Sequence, residues 1–67
     1  MIEQYKQVRL KRGFPEFGLK HGDIGVVVEI LNPPGIEIGY MVEFHTPNGD
    51  AEYTVEIFQR ADLESVE

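Results

Sequence analysis

The side chains of this 67-residue chain that could do chemistry form three small sets. His45 stands two residues from Glu43, and a neighbouring strand carrying Glu52 and Glu56 would bring more carboxylates alongside; an imidazole with two carboxylates is a donor set for a divalent metal. The second histidine, His21, belongs to a separate loop, so nothing completes that set and a solvated polar face is expected. Ser65 and Thr54 are the candidate nucleophiles, and neither has a histidine at a spacing that would make it a base. Gly22-Asp23-Ile24-Gly25 has the glycines of a phosphate loop but lacks the following lysine and helix that such a loop requires. The segment instead suits a corner. Gly22 permits a tight turn, Asp23 caps it with its carboxylate, and Gly25 lets a neighbouring backbone come close. No catalytic residue, metal or cofactor is expected, and the chain reads as a binding module rather than an enzyme.

The charges point to what it could bind. Lys6, Arg9, Lys11, Arg12 and Lys20 face only Glu3 and Glu16 in the first 20 residues, whereas ten of the twelve acids follow, with Arg60 alone against them, for a net charge of −6. Phosphate binding needs clustered positive charge with counterions to release. A strip of Lys6, Arg9, Lys11 and Arg12 is therefore the one place for nucleic acid, and the acidic body opposes it. Glu29, Glu43, Glu52 and Glu56 are expected to point outward from consecutive strands and to share one sheet face, an electrostatic platform for a protein with a basic surface. Phe14 and Phe17, with Pro33, Pro34, Ile36 and Ile38, crowd the two longest loops. Those that do not plug the ends of the fold would centre an interface.

The elements that must position these residues are strands. "QVRLK" (7–11, β1) alternates with Val8 and Leu10 on one face. "IGVVVEIL" (24–31, β2) is rich in β-branched residues, and Val26, Val28 and Ile30 are expected inward. "NPPG" ends it. "GYMVEFH" (39–45, β3) places Tyr40, Val42 and Phe44 inward, and Asn48-Gly49 signals a tight hairpin turn into "EYTVEI" (52–57, β4), with Val55 and Ile57 expected inward. "FQRAD" suits one helical turn, and "LESV" (63–66, β5) closes the sheet against β1. With no helical period long enough for a βαβ unit, the expected fold is all-β, a five-stranded meander closed or nearly closed into a barrel.

At this length a single domain over 1–67 is expected, holding one small core and little room for a buried cleft. There is no cysteine to staple it, and no apolar run approaches the roughly 20 residues of a membrane span. A soluble cytoplasmic protein is the expectation.

Three resemblances follow from these stretches. Gly-Asp-x-Gly-x-Val-x-x-Ile at 22–30 is similar to the strand-loop-strand signature of ribosomal and transcription-factor SH3-like domains, which are usually basic, whereas Asp23 and Glu29 lie inside this one. More specifically, "VRLKRGFPEFGLKHGDIGVVVEI", "GYMVEF", "NGD" and "ADLESV" together resemble the small bacterial family, frequent in cyanobacteria, called domain of unknown function 4926, from about Tyr5 to Val66. Gly18-Leu19-Lys20, Gly22-Asp23-Ile24-Gly25, Val42-Glu43-Phe44 and Asp62-Leu63 fall in order at compatible spacing, with Val26 where the family often has threonine. The resemblance implies an SH3-like barrel and brings no activity or catalytic residue; it is compatible with an accessory or antitoxin-like role beside a larger partner. A more distant likeness to small barrels of photosynthetic electron-transfer complexes suggests docking rather than chemistry.

Overall fold

The computed structural model describes residues 2–45 and 53–66, with the backbone alone at Tyr53. It is all-β. β1 (Gln7–Leu10), β2 (Ile24–Leu31), β3 (Gly39–His45), β4 (Tyr53–Gln59) and β5 (Leu63–Ser65) form one antiparallel sheet in the order β4-β3-β2-β1-β5, with 3₁₀ turns over Pro15–Phe17 and Arg60–Asp62. The expected five strands, the pairing of β5 with β1 and the short helical turn before β5 are all present. The Asn48-Gly49 turn lies outside the described residues.

The sheet is curled. Arg60–Asp62, three residues, carry the chain from β4 at one edge to β5 at the other. Even fully stretched, the four Cα steps from Gln59 to Leu63 reach only about 15 Å, whereas the edge strands of a flat five-stranded sheet stand about 19 Å apart. The curl encloses the core: Val8, Leu10, Val27, Val42 and Leu63 are fully buried, and Ile2, Phe14, Leu19, Tyr40, Phe44 and Phe58 nearly so. Closure is incomplete, because β4 and β5 are the two ends of the hydrogen-bonded order among the described residues.

Local chemistry sets the corners as expected. The Asp23 carboxylate accepts the Lys20 N–H at 2.9 Å, Gly22 adopts φ +91° and donates to the Leu10 carbonyl, and β1 thereby turns into β2. A Cβ on Gly25 would lie 2.7 Å from the Glu43 carbonyl oxygen and from Val42 Cγ1, so only glycine fits that approach. Between β2 and β3, Ile36 donates to Pro33 with Gly35 at φ +74°, the geometry of a type II turn with Pro34 and Gly35 at its centre.

The inward sets of β2 and β4 differ from expectation. In β2, Val27 faces the core while Val26 and Val28 are only half-buried. The cause is a bulge: Val27 pairs with Val42 but Glu29 with Met41, so Val28 is the extra residue and the alternation changes phase there. Beyond it Ile30, opposite Tyr40, packs on the core as expected. The Val28 carbonyl accepts the Gln4 side-chain amide at 3.0 Å, which draws the N-terminal segment along β2 and seats Ile2 in the core. In β4 the strand runs on to Gln59, and Phe58 is buried opposite Tyr40, which turns Val55 and Ile57 out to 44% and 56% exposure. Phe58 is the hub of the aromatic cluster, with ring centroids 4.9 Å from Phe14, 5.7 Å from Phe44 and 6.1 Å from Phe17. A buried phenylalanine removes more apolar surface from water than either aliphatic residue, so its phase wins.

Core truncations should rank accordingly in urea denaturation. Phe58→Ala is expected to lose about 3–5 kcal/mol and Val27→Ala about 2–3 kcal/mol, against under about 1 kcal/mol for Val28→Ala. Gly25→Ala should lose about 1–3 kcal/mol by overpacking. A larger loss at Val28 than at Val27 would contradict the bulge.

Candidate functional site

Directly opposed residues in an antiparallel pair share a face, so the register defines the outer surface of the curl row by row. One row is Glu64, Arg9 and Ile24; the next Gln7, Val26, Glu43 and Val55; then Glu29, Met41 and Ile57; then Leu31, Gly39 and Gln59. Apolar side chains gather in the middle rows toward β4. Ile57 Cγ2 lies 3.0 Å from the position a Cβ on Gly39 would take, so Ile57 leans over the bare glycine toward Leu31. Ile24, Val55 and Ile57 are exposed, and Ile36 and Ile38 are exposed in the adjoining β2–β3 loop.

The four acids do not form one platform. Glu29 and Glu43 lie on this outer face, but Glu56 pairs with fully buried Val42 and so sits on the inner side, half-buried at the open edge of β4. The inverted phase of β4 is the cause. Glu52 lies outside the described residues. The result is a mixed face, with Glu29, Glu43 and the ion-paired Glu64 among exposed aliphatics, instead of an acidic sheet.

The loop aromatics also separate. Phe14 is 5% exposed, stacked on Phe17 at 5.9 Å and covered by the Arg12 guanidinium, 4.0 Å from its centroid, so its ring belongs to the core and is closed to a partner. Phe17 is half-buried and keeps part of its surface open. Of the basic strip, Arg9 pairs with Glu64 at 3.2 Å and Arg12 with Asp62 at 3.3 Å, while Lys6 and Lys11 are exposed. These exposed pairs contribute only about 0.2–1 kcal/mol each, but they neutralise half of the strip.

His45 Nε2 lies 3.9 Å from Glu43 Oε1. Among the described residues no group of three His, Cys, Asp or Glu side chains gathers as a metal site, and no helix is long and apolar enough to cross a membrane. The exposed aliphatics Val55 and Ile57 are the surface residues that sequence reasoning missed. Their signal was the competing alternation in "TVEIF", where Phe58 fits the phase opposite to Val55 and Ile57.

Because both aliphatics project from the outer face, Val55→Thr and Ile57→Thr should leave unfolding free energy within about ±0.5 kcal/mol. Fluorescence of a hydrophobic surface dye should fall in the double variant.

No curated protein and no solved structure matches the chain significantly. The sequence profile described as "Domain of unknown function (DUF4926)" matches residues 5–64. With that match spanning β1 through β5 apart from Ser65, the chain belongs to the DUF4926 family.

Proposed function

We propose that this chain is a non-enzymatic protein-binding module, an SH3-like barrel of the bacterial cytoplasm, that docks through the outer sheet face onto a protein with a basic and apolar surface. The observation that carries this reading is the exposure of Val55 and Ile57, 44% and 56%, on a strand directly beside Glu43 and Met41. Two exposed β-branched residues on one face, rimmed by carboxylates, have the composition of an interface with an apolar centre and a charged edge. Phe17, half-buried beside Phe14 and Phe58, is the loop ring with surface to add. The nucleic-acid reading is weaker, since Arg9 and Arg12 already face carboxylates.

The test is affinity capture from the native cell followed by surface plasmon resonance on the captured protein. Glu43→Lys should slow association by roughly tenfold at low salt, and added salt should weaken the wild-type complex in the same direction. Ile57→Thr and Phe17→Ala should act on dissociation with little salt dependence. If all three variants bind as the wild type does at every salt concentration, the outer face is not the docking site.

A further inference from the structure

We infer that β4 accepts an added strand: an extended segment of another protein, with lysine or arginine between apolar residues, pairs with the open edge of Tyr53–Gln59. This rests on the reading of the chain as a protein-binding module and specifies how its partner is held.

The first observation is the state of the edge. Among the described residues β4 pairs with β3 on one side and makes no backbone hydrogen bond on the other. Natural sheets blunt such edges with proline, lysine, bulges, short strands or an inward-pointing charge. Of these "YTVEIFQ" has only the inward charge, Glu56: it is seven residues long, holds no proline, glycine or basic residue, and keeps unbroken register with β3 from Gly39 opposite Gln59 to His45 opposite Tyr53. The other edge is blunted. β5 is three residues long, and the Arg9–Glu64 and Arg12–Asp62 ion pairs fasten it and the turn before it to the β1 side.

The second observation selects the occupant. An added strand continues the alternation of β4, so its residues opposite Val55 and Ile57 lie on the outer, apolar face, and the one opposite Glu56 lies on the inner side beside a half-buried carboxylate. The complementary pattern is apolar, basic, apolar. A second copy fits poorly: antiparallel pairing of β4 with itself about its midpoint sets Glu56 against Glu56 and joins two chains each of net charge −6. Backbone bonds would then supply affinity and the alternate side chains specificity, as in other strand-addition complexes.

The probe is a capped peptide of alternating valine and lysine, seven residues long to match β4, titrated into the isotope-labelled full chain and followed by nuclear magnetic resonance. Amide shifts and slowed hydrogen exchange should concentrate in β4. The same peptide N-methylated at alternate backbone nitrogens, which keeps the side chains but removes the donors, should not bind. Glu56→Lys should weaken the lysine peptide about fivefold to tenfold and favour a glutamate-for-lysine peptide instead. Glu56→Gln, which keeps the shape, should give a smaller loss and serves if the lysine variant does not fold. Absence of peptide binding or equal binding of the N-methylated peptide would overturn strand addition, and a wild-type dimer in sedimentation that protects the same amides would overturn the apolar, basic occupant in favour of a second copy. A captured partner that depends on Glu43 and Ile57 yet leaves the β4 amides unprotected would overturn strand addition and leave the docking reading standing.

Discussion

The three-residue passage from Gln59 to Leu63 is the constraint on which the rest of the molecule depends. It joins the two edges of a five-stranded sheet across a distance that a flat sheet would not allow, and so makes the sheet curl. A curled sheet has one inside. Among the described residues eleven buried apolar residues fill it, and no α-helix or second layer is present there to cover the outside. The apolar residues that remain must therefore face water on the convex side, where Ile24, Val55 and Ile57 are found.

The bulge at Val28 adapts β2 to that curl. It lets β2 present Val27 to the core near β1 and Ile30 near the far end of β3, two inward positions that a regular strand could not both supply because they differ by an odd number of residues. The backbone group displaced there is not left unpaired, since Gln4 donates to the Val28 carbonyl. The same segment returns a hydrogen bond from Tyr5 N–H to the Val27 carbonyl, with Tyr5 in the left-handed region at φ 68°. Holding a non-glycine residue in that conformation costs of order 1 kcal/mol, and the burial of Ile2 at 3% exposure offsets it. The N-terminal residues thus belong to the fold.

What was legible in the sequence is what local pattern controls. β3 alternates between aromatic or aliphatic residues and polar ones without ambiguity, so Tyr40, Val42 and Phe44 are inward as expected. Gly22, Asp23 and Gly25 declare their corner because each does something that few other residues can do there. β2 and β4 depart from the expected phase for a common reason. In both, either phase of the alternation offers apolar residues, and the choice is made by partners distant in the chain: Val42 across the bulge for Val27, and the rings of Phe14, Phe17 and Phe44 for Phe58. The expected acidic platform failed with the phase of β4, which carried Glu56 to the inner side.

These inversions give the surface its character, because the residues displaced from the core are those that now form the apolar part of the outer face. The central claim is therefore one of phase, that Val55 and Ile57 face solvent while Val27 does not. Methyl relaxation in the presence of a soluble, uncharged paramagnetic agent measures this directly. The Val55 and Ile57 methyl signals should relax strongly as the agent is added, and those of Val27 and Val42 should hardly respond. Protected Val55 and Ile57 methyls beside an accessible Val27 would contradict the account, since the core would then be built on the opposite faces of β2 and β4.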